Sequence, residues 1–163
     1  MTTAQVVETD MRLSRKSDYA LRALVTLAEQ PGRTISIREL AEVNDVPRRF
    51  LEHIMLEMKA KGIVRSIPGR IGGFALAMTP EQITMGRIVR LFDEMLAPIP
   101  CVSNTHYEPC TQETRCRFRR VLLDIRNYTA RRMDEASLAT LISLQPVAKK
   151  EVFTGEFLQG DGI

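Results

Sequence analysis

The residues able to do chemistry gather in one stretch, CVSNTHYEPCTQETRCRFRR, from Cys101 to Arg120. It holds all three cysteines of the 163-residue chain, Cys101, Cys110 and Cys116, spaced C-x8-C-x5-C. Thiolates bind zinc and iron–sulfur clusters, and three of them on a short loop leave one coordination position for another group. Three readings compete. Cysteines without a metal are the first, although free cysteines are more often scattered and buried than gathered in a polar loop. Zinc is the second: His106 gives C-x4-H-x3-C-x5-C, a Cys3His set, but without the tight C-x2-C knuckle usual for structural zinc. The third is an iron–sulfur cluster held by three cysteines and one ligand from elsewhere. Arg115, Arg117, Arg119, Arg120 and the N-terminus of the following helix would offset its negative charge. A cysteine-nucleophile enzyme needs a general base; the histidines are His53 and His106, and nothing in the sequence pairs either with a thiol. The chain is therefore expected not to be an enzyme.

Composition sets the frame for that loop. With 44% hydrophobic and 26% charged residues, the chain has the make-up of a globular protein with one good core and an appended helix. No apolar run approaches the roughly 20 residues that span a bilayer, so no membrane partner is expected. The start, MTTAQVVETD, has neither the basic end nor the apolar core of a signal peptide. An odd number of cysteines argues against a disulfide framework and places the chain in a reducing cytoplasm. The net charge of +3 is unevenly distributed. Residues 11–78 carry 12 Lys/Arg against 7 Asp/Glu and residues 117–132 carry 6 against 1, while the segments between and around them are acidic. Two basic islands suit a protein that lays one face on a polyanion; the plain alternative is a solvated surface.

The elements that must position these groups can be read in order. Ser14 caps a helix over about 14–29, with Leu21, Leu24, Val25 and Ala28 on one face. Ser36 and Glu39 form a capping box for a short helix to about Val43, Asn44-Asp45 turns, and Pro47 opens a third helix over about 47–61. Ile63–Ile67 and Phe74–Met78 read as two strands joined by a glycine-rich turn. Thr84 caps a helix to about Leu96, the cysteine loop covers about 97–116, and a helix over about 117–133 has Phe118, Val121, Leu122, Ile125 and Tyr128 on one side. Ser137 caps a last helix to Leu144. Residues 1–10 and 146–163 are expected to be flexible termini. Helix, short helix, turn, helix, hairpin is the order of a winged helix-turn-helix, a mainly α fold. It divides the chain into a DNA-binding domain at 11–80 and a segment at 81–145 bearing the cysteine loop and the later helices.

In that fold the third helix enters the major groove of double-stranded DNA. Its apolar side is Leu51, Ile54, Met55 and Met58, so the opposite side of its first turns shows Arg48, Arg49, Glu52 and His53 after Pro47. Arginine reads guanine with two hydrogen bonds and glutamate accepts from cytosine. Arg70 at the hairpin tip suits a narrow minor groove, and Arg12 and Lys16 suit phosphates. The plain alternatives are an Arg48 or Arg49 pair with Glu52 and a solvated turn residue at Arg70. Phe50 is expected to pack rather than touch DNA.

From Met11 to about Ile142 the chain resembles a family of bacterial regulators that includes the iron–sulfur cluster regulator IscR and the nitric-oxide-responsive repressor NsrR. The matching residues are MRLSRKSDYALRAL at 11–24, ISIRELAEVNDVPRRFLEHIM at 35–55, GIVRSIPGRIGGFALA at 62–77 and ITMGRIVRLFDE at 83–94, then the three cysteines and a long helix. The resemblance implies a homodimeric winged-helix regulator that binds an operator. It also implies that helix 117–133 is the dimerisation helix, with Phe118, Val121, Leu122 and Ile125 in its seam, and that the loop holds a 4Fe–4S or 2Fe–2S cluster that tunes DNA binding to redox state, nitric oxide or iron. A zinc-bound or cluster-free thiol regulator is the alternative within the same fold. The chain departs from the family in a longer first cysteine gap, in ten residues before Met11, and in Arg119, which stands where members place a histidine ligand. Some members take a carboxylate near the start of the first helix of the other subunit; Asp18 falls on that position, with His106 as the local rival and a helix-start acid as the plain alternative.

Overall fold

The computed structural model describes residues 13–93 and 96–152. Hydroxyl caps start most of the helices. The Ser14 hydroxyl accepts the Ser17 N–H at 3.2 Å and opens α1 (Arg15–Ala28), and Ser36 accepts from the Glu39 N–H to open α2 (Ile37–Asn44). Asp45 then takes a left-handed conformation at φ 51°, which aspartate tolerates better than most residues, and the chain turns into α3 (Arg48–Ala60). Leu24 of α1, Leu40 of α2, and Leu51, Ile54, Met55 and Met58 of α3 are fully buried together. The Asn44 amide fastens this turn by donating to the Leu40 carbonyl at 2.9 Å and to the Thr26 hydroxyl at 3.1 Å.

The wing is the antiparallel pair β1 (Val64–Ile67) and β2 (Gly73–Leu76), with Val64 opposite Leu76 and Ile67 opposite Gly73. A third segment joins it. Ile35, just before α2, exchanges hydrogen bonds with Phe74 at 3.0 and 2.8 Å. That approach is close enough to require glycine at 73, where a Cβ would stand 2.2 Å from the Ile35 carbonyl oxygen.

A 3-10 turn at Pro80–Gln82 leads to α4 (Met85–Phe92), capped by Thr84. The apolar period predicts this helix to about Leu96, but it stops at Phe92. Asp93 leaves helical geometry (φ −111°, ψ 124°), and its carboxylate accepts the Ser14 N–H at 3.3 Å. After the cysteine loop, α5 (Phe118–Glu135) runs two residues beyond the expected end and returns along α4, where Arg90 pairs with Asp134. Helix α6 (Leu138–Leu141) is shorter than the expected 137–144. Its start is bridged to the head of α4: the Met85 N–H donates to the Ala136 carbonyl and the Leu138 N–H to the Ile83 carbonyl, both at 2.8 Å. Ile83, Ile88 and Leu138 therefore share the core of the winged helix. One helical turn, α7 (Lys149–Val152), forms within the stretch expected to be loose, and residues 1–10 lie outside the described residues. Among the described residues no helix is long and apolar enough to cross a membrane.

Gly73→Ala should destabilise the protein by about 1–3 kcal/mol, because the new methyl must push β2 off the Ile35 segment. Urea unfolding checks it, with Gly86→Ala as comparison, since there a Cβ meets mainly the movable Asp134 side chain. An unchanged midpoint for Gly73→Ala would mean the wing is not fixed by that bridge.

Candidate functional site

Two surfaces carry the groups singled out in the sequence. The first is the outer side of α3. Burial of Leu51, Ile54, Met55 and Met58 fixes the rotation of the helix, and Pro47, Arg48, Arg49, Glu52 and His53 are all exposed on the far side. Among the described residues neither arginine enters an ion pair, with Glu52 or otherwise. The first turn of α3 contains no acid and Pro47 supplies no side-chain cap, so the positive end of the helix dipole stays open beside two guanidiniums. Arg70 is exposed at the wing tip, next to Gly69 at φ 117°. Phe50 packs edge-on against Tyr19, with ring centroids 5.8 Å apart. Lys16 is placed differently from the other candidate phosphate contacts: its ammonium pairs with Glu57 on α3 at 2.8 Å and lies 5.7 Å from the Phe92 ring centroid. Arg12 lies outside the described residues.

The second surface is the cysteine loop. Cys101 sits on a 3-10 turn at Pro100–Val102 and is 8% exposed, packed with Ala97, Val102, Leu122 and Leu123. Cys110 is exposed and Cys116, at the foot of α5, is half-buried; no disulfide joins them. All three thiols line one open cavity of about 640 Å³, together with Glu113, Arg115, Arg117 and Arg119. Two arginines of α5 hold the first cysteine's turn: Arg119 donates to the Cys101 carbonyl at 2.7 and 3.2 Å, and Arg126 to the Val102 carbonyl at 2.9 Å. Three thiols with a cationic rim form a donor set suited to an anionic iron–sulfur cluster. Among the described residues no three His, Cys, Asp or Glu converge closely enough for one metal ion. The donors of a cluster would be shared among different iron atoms, so they need to line one cavity rather than meet at a point.

The two rivals for the fourth position lie elsewhere in the chain. His106 lines a separate cavity of about 520 Å³ with Arg90, Asp93 and Asn127. The buried Ser103 hydroxyl turns that segment by accepting the His106 N–H at 2.9 Å, and the His106 Nδ1 lies 3.3 Å from the Thr105 hydroxyl. Asp18, on α1, is held in a two-point pair with Arg22 at 2.9 and 2.7 Å. Sequence reasoning missed Glu113. Its carboxylate receives the Tyr107 hydroxyl at 2.8 Å and the Cys110 N–H at 3.2 Å, and stands 3.6 Å from Arg119. The Tyr107 hydroxyl, then the Cys110 amide, hold the Glu113 carboxyl below the usual carboxylate range, and the same bond raises Tyr107 above an ordinary phenol. The available signal was its place midway between Cys110 and Cys116.

On α5 no residue is buried within the chain. Phe118, Val121, Ile125 and Tyr128 form an exposed apolar stripe. Leu122, expected in the same seam, is half-buried and packs on the Cys101 turn.

The sequence model of the Rrf2 family, described as an iron-dependent transcriptional regulator, matches residues 13–144. An rrf2-like HTH-type transcriptional regulator of Rhodobacter capsulatus is 38% identical over 120 residues, covering 69% of this chain and 80% of the relative. The NsrR regulator of Halalkalibacterium halodurans is 29% identical over 134 residues, covering 82% and 91%. Among solved structures, CymR, the global cysteine regulator of B. subtilis, aligns with a TM-score of 0.70 at 27% identity, over 81% of this chain and 96% of that one. These relatives are regulators rather than enzymes. The chain, with its winged helix-turn-helix running into a three-cysteine loop and a long helix, belongs to the Rrf2 family of DNA-binding transcriptional regulators.

Proposed function

We propose that the protein is a homodimer whose affinity for a double-stranded operator is set by an iron–sulfur cluster, 2Fe–2S or 4Fe–4S, bound at Cys101, Cys110 and Cys116. The observation that carries this reading is the single cavity that all three thiols line beneath an arginine rim. When bound, such a group supplies an anionic inorganic core that reacts with oxidants and nitric oxide and reflects iron supply. The chain's own residues connect that cavity to the DNA-facing helix. Arg119 and Arg126 hold the Cys101 turn on α5. Asp93, at the entry to the loop, receives the Ser14 N–H that begins α1, and Lys16 of α1 holds Glu57 of α3. The Asp93–Ser14 and Lys16–Glu57 contacts thus lie between the entry to the loop and the recognition helix, which supports a coupling of the two. The exposed stripe of Phe118, Val121 and Ile125 supports pairing of α5 with its copy, which would present two α3 helices to one duplex. Exposed Cys110 favours the second reading, a cluster-free thiol regulator answering to cysteine oxidation.

Three outcomes are expected. Protein purified without oxygen should be brown or red, with thiolate-to-iron absorption and matching iron and sulfide content; a colourless protein binding zinc or no metal would overturn the cluster reading. Arg48→Ala and Arg49→Ala should each weaken operator binding in a gel-shift titration by about 1–3 kcal/mol where the residue reads a base, and unchanged affinity and footprint in both would remove α3 from the groove. Val121→Asp and Ile125→Asp, which spare Leu122 and the cysteine turn, should give monomers in sedimentation, because pairing would bury an uncompensated charge. Intact dimers in both would move the interface off α5.

A further inference from the structure

We propose that Glu113 is the fourth protein ligand of the cluster, supplied by the loop of the same chain. This inference rests on the cluster reading above. Among the described residues, the cavity lined by Cys101, Cys110 and Cys116 receives one further side chain able to bind iron as an anion, and it is Glu113. The turn between the second and third cysteines puts it there. The Glu113 N–H donates to the Cys110 carbonyl at 3.2 Å and the Cys116 N–H to the Gln112 carbonyl at 2.8 Å, so the segment folds into a compact turn. The carboxylate doubles back to accept the Cys110 N–H, which keeps it beside a cysteine rather than in open water. Its side chain is 19% exposed, and Arg119, 3.6 Å away, balances its charge while holding the Cys101 carbonyl. Three thiolates and a carboxylate are a mixed donor set in which the oxygen ligand is the weaker partner of iron. The iron it holds is then the position most open to exchange by a small molecule. His106 lines a separate cavity, and this chain's own Asp18 pairs with Arg22 away from the thiols, so an Asp18 ligand would have to come from the partner subunit, whereas Glu113 is already beside them.

The test is reconstitution with iron and sulfide in the absence of oxygen for the wild-type protein, Glu113→Gln, Glu113→Cys, Tyr107→Phe, Asp18→Asn and His106→Gln. The readouts are iron and sulfide per chain, Mössbauer and circular dichroism spectra, and the rate of cluster loss to a chelator. Glu113→Gln should alter the spectrum of one iron and lose the cluster at least ~10-fold faster, the scale on which even outer contacts to a metal site matter. Glu113→Cys should restore retention with a spectrum of added thiolate character. Tyr107→Phe removes the partner of Glu113 but leaves its carboxylate, and should keep the wild-type iron spectrum, as should Asp18→Asn and His106→Gln. The proposal is overturned if Glu113→Gln matches wild type, or if Glu113→Cys fails as Glu113→Gln does, which would make Glu113 a support of the turn. A changed iron spectrum in Asp18→Asn or His106→Gln with none in Glu113→Gln would overturn it as well. A wild-type protein that takes up no cluster would overturn the functional reading along with it, whereas a cluster indifferent to Glu113→Gln removes only this assignment.

Discussion

Helix α1 meets α2, α3, α4, α6 and β2, which leave only Arg15 and Arg22 of its residues exposed, and the arrangement of the domain depends on that contact. Ala20 and Ala23 are fully buried in it, beside Leu24 and Leu27. Small side chains at those two positions let neighbouring helices approach closely, and the leucines fill the spaces left around them. Interiors pack as tightly as organic crystals, so a shift of α1 cannot be absorbed locally. It would be passed to α3 on one side and to α4 and α6 on the other. Helix α1 is therefore the element through which the basic outer side of α3 and the entry to the cysteine loop are kept in register.

Where helices begin was legible in the sequence because capping is local. Ser14, Ser36, Thr84 and Ser137 each accept an N–H from their own first turn, as their types and spacing indicated. Where α4 ends was not legible. Its apolar period continues, but Asp93 turns out to bond with Ser14, 79 residues earlier, and no local pattern encodes so distant a partner. The site divides in the same way. That three cysteines belong together could be read from their spacing. That His106 faces another cavity could not, because the buried hydroxyl of Ser103 sets the direction of the loop. Leu122 has the right period for the exposed stripe of α5, and the Cys101 turn half-covers it, a contact that period alone does not foretell.

The two halves of the chain are held by different forces. The winged helix has a continuous buried core from Ala20 to Leu138. The cysteine loop has only a small apolar cluster at Ala97, Cys101 and Val102, and its shape comes chiefly from hydrogen bonds: Ser103 to the following amides, Tyr107 and Cys110 to Glu113, Arg119 and Arg126 to two carbonyls. Polar contacts near solvent each stabilise modestly, by about 0.5–1.5 kcal/mol. Segments built this way open more readily than a core does. The loop is therefore the part of the molecule that rearranges at least cost, while the winged helix stays intact.

Helix α5 spans 18 residues without burying one of them in its own chain. Apart from its contacts with α4 and the cysteine turn, its order in a lone chain rests on local hydrogen bonds, which are marginal for a helix of this length in water. Whatever covers the stripe of Phe118, Val121, Ile125 and Tyr128 must then supply much of its stability, and by mass action that supply varies with concentration. On dilution the long helix should lose protection against amide hydrogen exchange before the winged helix does. The order of that helix is thus a gauge of how much of its covering partner is present.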